Sequence, residues 1–375
     1  MKLLRAMALT GVLFSAAACG GASVQVSTEH RELPPANPEA VRKFTEGARI
    51  LARGGVQNEN RAMDHFREAL RIDANLWEAH YNLGVVYRRR NDFVHAIEEF
   101  EAARATQPAS RDALLALAEA RYASGNRERA SDLLARFLES QPTAVDVRVA
   151  LATMLRERGE YNDALEQARE ALVREPQNAR ALAEVGRVYR AREQYDVAEL
   201  VFKKALELTP QSAELHNDLG LLALARGDTQ EAFLEFGRAN EVDARYAPAH
   251  LNQASVLLHA GDYAGAEAEY RAVLRDDADH LDARVGLGIC LRGQAHHREA
   301  QHEYERALEI SANYPPALFN LAILRADFLN QRPQSRELFQ RFLDTGAATD
   351  SQREVAQRYL SEIGAERAPA EGGGS

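Results

Sequence analysis

The sequence predicts an all-α chain, a solenoid of about nine helix-turn-helix repeats, and three observations carry that prediction. The first is composition. Of 375 residues 46% are hydrophobic and 27% charged, only 12 are proline, and 7% are aromatic. Alanine alone supplies 67 residues, which suits closely packed helices better than strands, where β-branched and aromatic residues lead. The second is period: Ala96, Ala130, Ala164, Ala198, Ala232, Ala266 and Ala300 recur every 34 residues without an insertion. The third is that other residue classes keep phase with these alanines. Four positions after each stands Phe100, Leu134, Ala168, Phe202, Phe236, Tyr270 or Tyr304, and twelve before each stands Gly84, Ala118, Ala152, Gly186, Gly220, Ala254 or Gly288.

Taken from the N-terminus, residues 1–18 read as a signal peptide. Lys2 and Arg5 precede an apolar run from Ala6 to Ala18; as a helix it is about 20 Å long, too short for a ~30 Å hydrocarbon core. Ala16-Ala17-Ala18-Cys19-Gly20 resembles the lipobox of bacterial lipoproteins, with Ala16 where that family usually has Leu. The resemblance implies that Cys19 is lipidated and becomes the mature N-terminus. Gly20, rather than Asp, then implies sorting to the outer membrane, facing the periplasm. Residues 19–38, which include Pro34, Pro35 and Pro38, form a flexible tether after that cysteine.

Repeats follow over residues 39–348. In each, a small residue lets the two helices approach while the large one fills the space between them. Gly125, Gly159, Gly227 and Gly261, with Asn91, end the first helices, because they tolerate the left-handed backbone of a helix stop. Pro108, Pro142, Pro176 and Pro210 end the second helices. Ala62, Phe66 and Ala69 give a second helix one period before the regular array, with Gly47 and Ile50 in its first helix. The intervening turn, around Gly54 to Asn60, reads as three residues longer than elsewhere. Leu318, Leu321, Ala322 and the run Ser335 to Leu343 make a degenerate last repeat. Residues 349–363 supply a capping helix, with Val355, Tyr359 and Ile363 inward, and 364–375 read as a disordered tail.

Asn82-Leu83-Gly84 with Tyr87, and Val185-Gly186 with Tyr189, followed by the alanine, phenylalanine and proline positions, resemble the tetratricopeptide repeat. That resemblance implies a right-handed superhelix whose first helices line a concave, peptide-binding groove. It places Asn82, Asp218, Asn252 and Asn320 at one groove position, where an amide offers a donor and an acceptor to an extended backbone. It places Arg88, Arg156, Arg190 and Arg292 at another, a locally basic lining, with Glu119, Glu157 and Glu184 as counter-ions on the same face. Leu221, Leu224, Leu251, Leu258, Ile289, Phe319 and Ile323 make the later groove apolar, to be covered by a ligand or by the helices themselves.

Little else in the chain points to chemistry. A net charge of −10 argues against nucleic acid as a partner. Two cysteines, Cys19 and Cys290, exclude a disulfide scaffold or a four-cysteine zinc site. P-loop, HExxH, GxSxG and CxxC motifs are absent from the sequence. His296, His297 and His302, with Glu299 and Glu303, read as a solvated turn before a metal site. Asp276, Asp277, Asp279 and Asp282 lack the glycine and terminal glutamate of a calcium loop. Cys290 reads as a core thiol. No catalytic residue, metal or cofactor is expected.

The function expected is a non-enzymatic scaffold, lipid-anchored and organising proteins or peptides of an envelope machine, similar to lipoproteins of gliding-motility complexes. The alternative is a pilotin-like assembly factor for an outer-membrane secretin or type IV pilus. An accessory subunit of a peptidoglycan enzyme has no residue constellation behind it.

Overall fold

A computed structural model of the chain describes residues 35–365; Cys19, the signal peptide and most of the expected tether lie outside them, as do residues 366–375. Among the described residues there are nineteen α-helices and no strand, and no helix is long and apolar enough to cross a membrane. The chain divides into two compact units, one ending at Asn82 and the other beginning at Leu83.

The first unit holds α1 (Pro38–Leu51), α2 (Val56–Ile72) and the start of α3 (Trp77–Arg89). Asn37 caps α1, its side chain accepting from the Glu39 amide at 2.9 Å, while its own amide donates to Asp73 at 2.9 Å. Gly47 faces the Phe66 ring so closely that a Cβ there would stand 2.8 Å from it. One expectation is corrected here. The extra residues near Gly54 do not lengthen the turn by three; they extend α2, which has 17 residues against 14 in α4. Gly54 and Gly55, both at positive φ (69° and 86°), turn the chain ahead of that added helical turn.

The second unit continues α3 and adds α4 (Phe93–Thr106), α5 (Arg111–Ala123), α6 (Arg127–Ser140), α7 (Val145–Glu157), α8 (Tyr161–Arg174), α9 (Ala179–Ala191) and α10 (Tyr195–Leu208). It goes on through α11 (Ala213–Arg226), α12 (Thr229–Val242), α13 (Ala247–His259), α14 (Tyr263–Asp276), α15 (Leu281–Gly293) and α16 (His297–Ile310). It ends with α17 (Pro315–Asp327), α18 (Arg332–Asp344) and α19 (Asp350–Ala365). Odd-numbered helices are the first members of the pairs, and neighbouring first helices touch: α5 with α7, α7 with α9, α9 with α11, α11 with α13 and α15 with α17.

The pairs close by ring-on-glycine contact. A Cβ at Gly84 or Gly186 would stand 2.6 Å from the ring of Phe100 or Phe202, so the small residue is a steric requirement of the large one. Where the first helix carries Ala118, the partner shrinks to Leu134, and both are fully buried. Tyr270 solves the problem differently and leans onto Gly286 of α15, a groove position that consequently has no side chain.

The turns inside the pairs use a left-handed residue at a fixed place in the period. Gly125, Gly159, Gly227 and Gly261 occupy it with φ of 79° to 90°, and Asn91 with 58°. Glu193 (60°) and Ala295 (63°) hold the same conformation without glycine's freedom, at a steric cost. At the C-terminal end α19 covers the last pair: Tyr359 stacks on Phe339 with centroids 4.9 Å apart, and Ile363 and Ala356 are buried. Cys290 is fully buried, and burial pushes its thiol up to about 12, an inert core group. His297 packs on Phe328 at 4.7 Å.

Candidate interaction groove

The first helices of the second unit present their polar residues to one another across the pair boundaries. Arg156 of α7 donates from Nε to Glu184 of α9 at 2.5 Å, and the Thr153 hydroxyl lies 3.1 Å from the same carboxylate. Arg187 of α9 reaches Glu184 at 3.3 Å, then Asp218 of α11 from Nε at 2.9 Å, and also Glu214. Glu184 is fully buried and Asp218 4% exposed. Such carboxylates persist only because guanidinium groups satisfy them on several sides. Burial pushes the Asp218 carboxyl up, opposed by the Arg187 charge that holds it. Tyr246, beside this cluster, is pushed up to about 12 by burial, with Glu214 and Asp218 adding to the effect.

The other expected groove residues fall into three groups. Arg88 pairs with Glu119 of the next first helix, so it belongs to the same ladder. Asn252 donates to Asn217 at 2.8 Å, and Asn320 donates to the Pro316 carbonyl at 2.9 Å while accepting from Arg292 at 3.4 Å. Asn82, in the first unit, donates to its own Glu78 carbonyl at 2.8 Å. Each of these amides uses one N–H inside the protein, on a backbone carbonyl one turn back or on a neighbouring helix, and keeps a second N–H. Of the expected basic lining, Arg88 and Arg156 are ion-paired within the stack. Arg190 and Arg292 are the exceptions; among the described residues Arg292 reaches only the Asn320 amide oxygen, and Arg190 stands apart. It forms no ion pair among the described residues, its Nε is buried without a hydrogen-bond partner, and burial lowers its pKa.

Phe319 does not stand in an open groove. Its ring lies 4.9 Å from Phe342 and 6.3 Å from Phe339, and it packs with Leu251, Leu258, Ile289 and Ile323 against the core of the C-terminal pairs. The packing leaves these side chains partly buried; Leu224, further back, is 37% exposed.

A cavity of about 330 Å³ lies between α5, α7, α9 and α11. Val149 and Tyr122 supply its apolar side, Glu119, Glu157 and Glu214 its carboxylates, and Arg180 a further cation. The three carboxylate side chains are 43–54% exposed, whereas Arg187 beneath them is saturated by the ladder. Sequence reasoning missed Arg187, Glu214, Asn217 and Arg180. The available signal was an arginine followed 27 or 28 residues later by a carboxylate, as in Arg187–Glu214 and Arg156–Glu184, which is one period less about two helical turns.

Family models described as tetratricopeptide repeat match residues 60–113, 149–213, 186–248 and 251–317, and a second such model matches 87–153. The chain belongs to the tetratricopeptide repeat family. Its repeats are a scaffold for protein–protein interaction, a fold that is generally non-catalytic. No curated protein matches the chain. Among solved structures, the Cut9–Hcn1 hetero-tetramer of the APC/C is similar over 81% of this chain at 12% identity and a TM-score of 0.54. The match spans 59% of that protein's length. Pseudomonas aeruginosa pilF is similar over 61% of this chain and all of its own, at 19% identity and a TM-score of 0.49. Yeast Tom70 is similar over 88% of this chain and 96% of its own, at 13% identity and 0.47. At these identities the likeness is one of fold.

Proposed function

We propose that this tetratricopeptide protein is a lipid-anchored, non-enzymatic scaffold of the bacterial envelope that holds a segment of a partner protein in the cavity between α5, α7, α9 and α11. The single observation behind the site is that cavity. Half-exposed carboxylates surround an apolar side there, on the first-helix face. A partner segment with a basic side chain beside an apolar one fits that chemistry. The anchor rests on the sequence: Cys19 follows an apolar run in a lipobox-like setting, and a lipid there would tether the repeats to the outer membrane by residues 19–38. Organisation of a machine such as a gliding-motility complex is the role proposed for it.

Two substitution sets test the reading. Cys19→Ala releases the protein from the membrane fraction into soluble periplasm; retention after a high-salt wash contradicts the anchor. Glu119→Gln with Glu157→Gln leaves helicity unchanged by circular dichroism and lowers recovery of the membrane partner by about tenfold. Full recovery moves the partner off this cavity.

A further inference from the structure

A second cavity, of about 410 Å³, lies between the second helices α4 and α6 near the end of α5, and none of its lining residues lines the groove cavity. Arg121, Arg129 and Arg136 line it with Asn126, against the carboxylates of Glu101 and Asp132 and the apolar side chains of Ile97 and Leu133. Arg104 stands next to Arg121 and Glu101, within range of both charges.

The repeat supplies its own control. At the place of Arg104, successive periods carry Leu138, Leu172, Leu206, Asn240, Leu274 and Leu308, a position where a second helix packs on the following pair and where the one polar residue, Asn240, is held by Gln253 at 2.7 Å. At the other end of the unit the Arg121–Glu101 pair, 2.5 Å long, is repeated as Arg325–Glu305 at 2.8 Å. There the neighbour is Leu308, so the pair stands alone and is neutral. Between α4 and α6 a second guanidinium has replaced the leucine beside the same pair. Its Nε, like that of Arg325, is buried without a hydrogen-bond partner, and burial together with Arg121 lowers its pKa. Arg129 and Arg136 form no ion pair among the described residues. Arg88, Arg156 and Arg187 of the groove face, by contrast, are matched to carboxylates. Packing does not call for this cluster, because leucine serves there in five other pairs, and an uncompensated guanidinium at a helix interface is unfavourable.

We infer that the α4–α6 cavity is a binding site for an acidic segment of a protein partner. It seats a carboxylate among Arg121, Arg129 and Arg136, with the charge of Arg104 behind Arg121, and the segment's adjacent apolar side chain against Ile97 and Leu133. Guanidinium groups match carboxylates bidentately. The volume and the apolar side exceed what a bare inorganic anion occupies, and they fit a short peptide stretch. The site differs from the groove in its lining and in its sign of charge, so it stands whether or not the groove binds a partner.

The test is fluorescence anisotropy on the full chain at low salt, with a short fluorescein-labelled peptide of alternating glutamate and leucine. Arg104→Leu restores the residue used by five other pairs, so it raises the thermal midpoint while weakening the peptide by about tenfold. Arg129→Gln with Arg136→Gln, on the exposed side of α6, weakens it to a similar degree without changing the melt. A peptide of alternating lysine and leucine does not bind. Equal affinity in either variant, no binding by the unaltered chain, or complete displacement by an excess of inorganic phosphate overturns the proposal, the last by assigning the site to a free anion.

Discussion

Two stretches of the second unit use the same helix pair to opposite ends. From α7 to α11 the first helices meet through buried charge, with Glu184, Arg187 and Asp218 linking one pair to the next. From α13 to α17 they carry carbon instead, with Leu251, Leu258, Ile289, Phe319 and Ile323 packed against one core cluster, and rings of α18 and α19 (Phe339, Phe342 and Tyr359) close the last pair and its cap. The backbone is alike in both, and so is the ring-on-glycine contact inside the pairs, as Gly186 on Phe202 and Gly288 on Tyr304 show. The difference lies between the pairs. A repeat fixes its internal packing by period, while each boundary is free to be solved with ions or with rings, because a repeat contacts only its neighbours. The ionic boundary keeps polar groups at the surface and leaves a cavity beside them; the apolar stretch packs against one core cluster.

The largest effects come from removing Glu184, at the centre of the ionic boundary, and Phe339, at the centre of the ring cluster under the cap. Glu184→Ala leaves Arg156 and Arg187 short of a buried partner and costs about 3–5 kcal/mol. Phe339→Ala empties a fully buried ring site and also costs about 3–5 kcal/mol. Urea denaturation checks both. Equal losses with unlike chemistry support the comparison, and a Glu184→Ala loss below about 1 kcal/mol would make the ladder an ordinary surface feature.

Next in size are the turns, which the comparison treats as common to both stretches. Glu193→Gly, in the ionic stretch, and Ala295→Gly, in the apolar one, relieve left-handed residues and each stabilises by about 1 kcal/mol. A gain in only one stretch would mean that turn strain is coupled to boundary chemistry. Asn252→Ala removes the bond to Asn217 and costs about 0.5–1.5 kcal/mol. That cost is read as lost stability in thermal melts, with partner recovery at permissive temperature unchanged.

Histidine gives the smallest and most specific effect. His250 of α13 has one ring nitrogen 2.5 Å from Glu269 and the other 3.1 Å from the Ala244 carbonyl. Both partners are acceptors, so the full arrangement needs both nitrogens protonated. Arg284 makes the equivalent pair of bonds to Glu303 and Ala278, but with a cation that does not titrate. The Glu269 bond raises the His250 pKa above 6.5 despite burial. Its contribution is therefore complete below 6.5 and fades as pH rises through the raised value. The thermal midpoint accordingly falls over that window, and His250→Gln flattens the fall. An unchanged slope would remove His250 from the account.

The fold was legible in the sequence because alanine, glycine and aromatic positions repeat at one spacing and act within one pair: Ala96 with Phe100, Gly84 with Phe100. The site was legible only as a face. Asn252 and Asn320 stand on the expected helices, yet their partners, Asn217 and Arg292, lie 35 and 28 residues away. No rule of position within a repeat says which of two boundary solutions a given pair adopts. The α1–α2 turn was misread for a related reason. The inserted residues include Val56 and Gln57, which a helix accepts, and the insertion's length alone says nothing about whether it coils or winds.

The central claim is that the groove-face arginines bind neighbouring repeats before they bind anything else. A double-mutant cycle on Arg187→Ala and Asp218→Ala, measured by urea denaturation, tests it most directly. The account predicts that the double variant loses less than the sum of the single losses, with a coupling of about 1.5–3 kcal/mol. Losses additive to within about 0.5 kcal/mol would contradict it and return Arg187 to the partner as a free groove cation.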